Sequence, residues 1–268
     1  MRSYLLFIWA VTILLPDLQT FAQSGTVRDT AAWEGYFREA GVDGTFVLLD
    51  INTGEYSICN SKRANTRYLP ASTFKIMNTL IGLQNKTVKG TGEVFKWDGV
   101  HRDYEAWNRD LSLSEAFRIS AVWVYQELAT RTGRDVIEKW LKECHYGNEK
   151  TGPEINSFWL NGEIAISAVE QVEFIRALYT ESLPFEKSVQ QKVKEIMLVD
   201  SVNGNELHAK TGWAARIEKQ IGWYVGYVRN KDQCWVFALN IDINKDEDTT
   251  LRTGISRKIL DWEGIYPQ

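Results

Sequence analysis

The chain has 268 residues, 44% hydrophobic and 25% charged, with 19 Gly and only 5 Pro. This globular composition excludes a disordered, collagen-like or low-complexity protein, and the length suffices to bury a sizeable core in one large domain or two smaller ones. With 31 Lys+Arg against 35 Asp+Glu the formal net charge is −4, so no global field favours nucleic acid or an anionic membrane as a partner.

The chain opens on an address. Arg2 supplies a positive start, Tyr4 to Leu15 is an almost unbroken apolar run, Pro16 ends it, and Thr20-Phe21-Ala22 places small residues at the −3 and −1 positions of a cleavage site. Residues 1–22 therefore read as a secretory signal peptide, leaving a mature chain of 23–268. The apolar run is shorter than the roughly 20 residues of a spanning helix. The expected destination is the periplasm or beyond, with no membrane attachment after cleavage.

Residues 45–50 read as a strand, Asn52-Thr53-Gly54 as a turn, and 55–59 as the returning strand of a hairpin. Pro70 precedes a helical stretch from Ser72 to Leu83, with Phe74, Met77 and Ile81 close to helical spacing. Residues 92–110 are polar and aromatic-rich with weak periodicity, and read as loop. Helical patterns follow at 112–130, 134–144, 167–180 and 186–198, the third opening on a capping box of Ser167 and Glu170. Strands return at 206–211, 220–229 and 234–243, joined in the last case by an Asn230-Lys231-Asp232 turn, and a helix over about 249–261 closes the chain. Strands at both ends of a helical middle predict an α+β fold. An antiparallel sheet is built from both ends and flanked by helices, with an all-helical region at about 80–200 inserted.

Cys59, Cys144 and Cys234 are too widely spaced for a metal motif or a disulfide framework, and read as three buried free thiols. His101, His145 and His208 show no paired metal spacing. The chain also lacks H-E-x-x-H, G-x-S-x-G, a P-loop and G-x-G-x-x-G. No metal and no Ser-His-Asp triad is expected.

What remains is Ser72-Thr73-Phe74-Lys75. On a helix, positions i and i+3 share a face, so the hydroxyl and the amine can touch. A neutral amine accepts the hydroxyl proton if burial lowers the lysine pKa, and the apolar neighbours Phe74, Ile76 and Met77 favour burial. At a helix N-terminus the free backbone N–H groups would favour a developing oxyanion. Alone, S-x-x-K is weak, since average composition yields roughly one per chain of this length. Two further elements accompany it. Ser120-Ala121-Val122 lies between helical patterns, and Lys210-Thr211-Gly212 ends a strand-like run before Trp213. Lys210 offers a cation and Thr211 a hydroxyl to an anionic substrate group, and Gly212 would let a substrate approach the strand edge. A second Lys-Thr-Gly at 150–152 sits in a polar loop before Pro153 and is set aside.

In this order the set resembles the serine β-lactamases and penicillin-binding proteins. Within them it resembles class D, the oxacillinase type. Pro70-Ala71-Ser72-Thr73-Phe74-Lys75 is similar to the class D active-site signature. Val122 stands where class A has Asn. Tyr146-Gly147-Asn148, Phe158-Trp159-Leu160, Lys210-Thr211-Gly212-Trp213, the Gly-Trp-Tyr-Val-Gly-Tyr run at 222–227 and Leu251-Arg252 complete a likeness that covers nearly all of the mature chain.

The resemblance implies a β-lactamase/transpeptidase-like fold and hydrolysis of β-lactam antibiotics through an acyl-enzyme on Ser72. It implies that Lys75 becomes an N-carboxylated general base by adding CO2 or bicarbonate, with no other cofactor, and that Trp159 donates its indole N–H to that group. Ser72 and Trp213 would form the oxyanion hole with their backbone N–H groups. Ser120 would carry a proton to the lactam nitrogen. Thr211 and Arg252, helped by Lys210, would hold the substrate carboxylate. Val122 would keep the site dry, and Leu160 would shape the path of the hydrolytic water. Tyr146 and Asn148 stand open between structural and catalytic roles. The alternatives are a D,D-peptidase or a β-lactam sensor, each acylated without rapid turnover. A sensor would follow a membrane-embedded transducer, for which the sequence offers no segment of spanning length. Nothing in the sequence speaks to oligomeric state.

Overall fold

The computed structural model of the protein describes residues 27–28 and 30–267. The expected leader and its cleavage point lie outside the described residues. Among those described, no helix is long and apolar enough to cross a membrane.

β1 (Val27–Arg28) and α1 (Ala31–Ala40) lead into a hairpin of β2 (Gly44–Asp50) and β3 (Tyr56–Cys59). After α2 (Ser61–Ala64), a 3-10 turn at Ala71–Phe74 runs directly into α3 (Lys75–Gln84). The segment expected as loop holds the short β4 (Val94–Phe95), paired with β5 (Leu111–Ser112). A helical series follows: α4 (Leu113–Arg118), α5 (Val122–Thr132), α6 (Arg134–Glu143), α7 (Phe158–Asn161), α8 (Ala168–Tyr179) and α9 (Lys187–Ile196). The chain then enters β6 (Leu198–Val202), β7 (Asn205–Ala214), β8 (Ile221–Arg229) and β9 (Cys234–Asp242), and ends in α10 (Leu251–Trp262).

The main sheet has the order β1-β3-β2-β9-β8-β7-β6, antiparallel except between β1 and β3. The N-terminal hairpin thus sits beside the C-terminal strands, as the sequence predicts. β8 and β9 read as apolar runs rather than alternations because both faces of the sheet are covered. On one face, Trp33 and Phe37 of α1 and Ile255 and Ile259 of α10 pack on Phe46, Phe237 and Ile241. On the other, Val47, Val225 and Val236 join side chains of α3, α5 and α8 in a single cluster. α3 is buried from Lys75 to Leu83, enclosed by α5, α6 and α9. A helix buried on all sides is the element that can hold a side chain away from water.

Several expectations change. The helix expected at 112–130 is two helices, because Ser120 adopts φ 58, a left-handed conformation that an α-helix cannot contain. β7 runs on to Ala214, so Lys210-Thr211-Gly212 lies inside the strand rather than at its end. β6 was not foreseen. It is an edge strand with exposed Leu198 and Val199, set by the Asn203-Gly204 turn, whose φ values of 51 and 81 suit a tight hairpin. α1 was also missed, although Trp33 and Phe37 stand at i, i+4 spacing. The three thiols are free, but only Cys59 and Cys234 are buried; Cys144 is half-buried. Burial pushes all three up, Cys59 to about 11, which keeps them protonated and unreactive.

Gly226 of β8 has no room for a side chain: a Cβ there would stand 2.1 Å from the His208 carbonyl oxygen. Gly226→Ala should therefore force β7 and β8 apart and destabilise the fold by about 2 kcal/mol or more, read as a lowered denaturant midpoint.

Candidate active site

The turn at 70–74 is a strained segment held by its neighbours. Ala71 has φ 49, which costs a non-glycine residue roughly 1–2 kcal/mol. The Thr73 hydroxyl donates to the Pro70 carbonyl at 2.8 Å and accepts from Gln171 Nε2 of α8 at 2.9 Å. Gly212 of β7 fits against the same turn. A Cβ there would meet the Pro70 oxygen at 2.9 Å and Thr73 Cγ2 at 3.1 Å. The glycine of Lys-Thr-Gly thus lets the strand itself reach the turn; the sequence reading had assigned it to the approach of a substrate.

Ser72 emerges from this turn and Lys75 begins α3 beneath it, with Lys75 Nζ 2.8 Å from Ser72 Oγ. Ser72 is 8% exposed and Lys75 not at all. Lys75 Nζ also lies 5.1 Å from the centre of the Tyr125 ring. Burial holds the amine well below the ordinary lysine value, and the charges of Lys210 and Arg216 lower it further. Contact and dryness, the two conditions a lysine base needs, are both met.

A second hydroxyl–amine pair faces the first. The Lys210 ammonium donates to Ser120 Oγ, and to the Thr211 carbonyl at 3.0 Å. Lys210 is 3% exposed, and burial, with the Arg252 charge second, lowers it to about 7. Arg252 donates through Nη1 to the Gly212 carbonyl at 2.6 Å and through Nε to that of Thr249 at 2.5 Å. It forms no ion pair among the described residues, and burial lowers it to about 10.

Ser72, Ser120, Val122, Leu160, Thr211, Gly212, Trp213 and Arg252 line one cavity of about 500 Å³. Lys75, Lys210 and Trp159 stand behind its wall. Trp159 is fully buried and stacked on Phe74 at 5.6 Å, and its Nε1 has no hydrogen-bond partner. Tyr146 and Asn148 both lie outside the set of residues that line the cavity. Tyr146 is buried edge-on against Phe74 and Phe174. Asn148 donates to the Glu163 carbonyl at 2.7 Å and accepts from Ala165 N at 3.0 Å, which fixes the loop after α7. Among the described residues no group of three His, Cys, Asp or Glu gathers as a metal site.

The sequence points to the loops around 100–110 and 213–220 as shaping the substrate range but singles out no side chain in them. Arg102, Tyr104 and Trp107 come from the segment read as plain loop, and Arg216 from the turn between β7 and β8. The aromatic content of 92–110 was the available signal. Tyr125, behind Lys75, has its hydroxyl 2.9 Å from Thr79 Oγ1 and was not singled out from the sequence.

Lys210 generates a pH prediction. Its folded value of about 7 lies below the ordinary 10.5, so between these the unfolded chain binds more protons and stability rises with pH. Lys210→Met should flatten the slope of unfolding free energy over roughly pH 7–10, by at most one proton. Denaturant unfolding at several pH values measures it, and an unchanged slope would contradict the depressed titration.

Comparison with known proteins agrees with this geometry. A family model described as the penicillin binding protein transpeptidase domain matches residues 44–261. Beta-lactamase OXA-48 of Klebsiella pneumoniae is 42% identical over 240 residues, spanning 90% of this chain and 91% of its own. Beta-lactamase OXA-10 of Pseudomonas aeruginosa is 36% identical over 260 residues, spanning 96% and 98%. The crystal structure of FUS-1 (OXA-85), a class D β-lactamase from Fusobacterium nucleatum subsp. polymorphum, matches with a TM-score of 0.86 at 36% identity, covering 89% of this chain and 99% of that one. With its fold, its paired Ser–Lys contacts and these relatives in agreement, the chain belongs to the class D serine β-lactamases.

Proposed function

We propose that the exported chain hydrolyses β-lactam antibiotics through an acyl-enzyme on Ser72, with Lys75, carboxylated by CO2 or bicarbonate, as the general base, and so confers resistance. The observation that carries this reading is the 2.8 Å contact between Ser72 Oγ and the amine of a lysine with no solvent exposure.

An amine adds CO2 through its lone pair and releases a proton to solvent, so only the neutral form reacts; burial and nearby cations both favour that form at Lys75. The buried, unpartnered N–H of Trp159 is the donor that would hold the modified group. That group supplies an anionic base beside the nucleophile.

Ser72 gives up its proton and attacks the lactam carbonyl. The backbone N–H groups of Ser72 and Trp213 are assigned to the oxyanion, at about 3 kcal/mol each. Ser120 delivers a proton to the departing lactam nitrogen and is resupplied by Lys210, whose value of about 7 suits a donor at neutral pH. Thr211 and Arg252 take the ring carboxylate, with the Lys210 charge behind them; Arg252 Nη2 makes no other hydrogen bond among the described residues. Val122 and Leu160 keep the wall apolar, and Leu160 borders the path of the hydrolytic water.

Residues 23–268 should hydrolyse a chromogenic cephalosporin over many turnovers; one equivalent of release followed by arrest would make the chain a sensor or a D,D-peptidase. Ser72→Ala should abolish acylation, and Lys75→Ala should slow turnover by about 10²-fold or more. Near wild-type turnover in Lys75→Ala would remove the base assignment. Added bicarbonate should restore activity lost at low pH, where protonation of the amine sheds the carboxyl group; a rate indifferent to bicarbonate would point to an unmodified lysine.

A further inference from the structure

The cavity holds more positive charge than the ring carboxylate requires. Arg102 is neutralised by Asp98, which it contacts twice, at 2.9 and 2.7 Å. Arg252 is tied to the carbonyls of Gly212 in β7 and of Thr249 in the turn before α10. Arg216 lines the same cavity, is exposed, and makes no hydrogen bond or ion pair among the described residues. The turn that carries it is nevertheless anchored. Ile217 packs on the larger core cluster, Trp213 Nε1 donates to Gln220 Oε1 at 2.8 Å, and Ile243 N donates to the Gln220 carbonyl at 2.9 Å. The next basic residue, Lys219, is turned to Asp242 at 2.9 Å. Arg216 is therefore a cation, unpaired among the described residues, carried into the cavity wall on an anchored turn.

We propose that Arg216 is a second anion-binding group of the cavity, and that the enzyme prefers β-lactams whose acyl side chain carries a carboxylate of its own. The proposal rests on the reading that this cavity takes a β-lactam with its ring carboxylate at Thr211 and Arg252. A guanidinium is suited to the task, since it presents two parallel N–H groups to a carboxylate and holds its charge at every working pH. Asp103 is the sole carboxylate among the residues lining the cavity; it is exposed and does not pair with Arg216. It opposes the preference by through-space repulsion, which gives the test a second handle.

The experiment compares kcat/KM for two penicillins that differ only in an α-carboxylate or an α-hydrogen on the acyl side chain, using wild type, Arg216→Gln and Asp103→Asn. The ratio of the two substrates is the readout, so a general loss of activity cancels. The proposal expects Arg216→Gln to lower the ratio about five- to tenfold, Asp103→Asn to raise it, and added salt to shrink the wild-type preference as the exposed charges are screened. Turnover of both substrates with a ratio unmoved by Arg216→Gln overturns this proposal alone. Turnover of neither substrate by the wild type overturns the parent reading and this one with it.

Discussion

The structure turns on one constraint: a lysine amine must be kept out of water while touching a hydroxyl that water and substrate can reach. An isolated charged ammonium in such a place would cost several kcal/mol, so burial and neutrality of Lys75 come together. The fold meets the constraint by burying α3 from Lys75 to Leu83 and bringing Ser72, just before it, to the cavity. β7 packs on the 71–74 turn that precedes α3, and α5 closes one side of α3 through the Tyr125 ring beside the amine. The long apolar runs of β8 and β9 and the two-sided core follow from the same demand for a dry interior.

Holding the hydroxyl in place requires unfavourable backbone at two positions. Ala71 and Ser120 both have positive φ without being glycine. Each flanks or carries a functional hydroxyl, and each is over-determined by its surroundings. Ala71 is fixed by the Thr73–Pro70 and Thr73–Gln171 bonds and by the close seat of Gly212. Ser120 is held by the ends of two helices, α4 with its Ser112–Glu115 capping box and α5, and by the bond from Lys210.

What the sequence made legible is what depends on periodicity and short spacing. The Ser72–Lys75 contact follows from i, i+3 geometry, the hairpin and the β7–β9 strands from their apolar runs and turns, and α8 from its capping box. The backbone at Ala71 and Ser120 was hidden because neither residue type advertises a left-handed conformation. That is why one helix was expected where two exist. Gly212 was flagged correctly as a place of close approach, but which surface approaches it is a tertiary fact. The cavity wall at Arg102, Tyr104, Trp107 and Arg216 was illegible for a related reason. Loops lack a period, and their side chains gain a direction only from the elements that anchor them.

The two Ser–Lys pairs are chemically alike and electrostatically different. Lys75 has no exposure and two cations within range, so its amine is the group driven to give up charge. Lys210 bonds the Ser120 hydroxyl and the Thr211 carbonyl and retains a proton affinity near neutrality. Environments that push two similar groups apart in this way underlie the base and acid roles proposed for them. Burial is the larger cause of the depression at Lys75, and the charge of Lys210 adds to it. Removing the Lys210 cation would therefore relax Lys75 in part, so the seat of Gly212 against the 70–74 turn, which brings β7 to Ser72, bears on electrostatics as well as on packing.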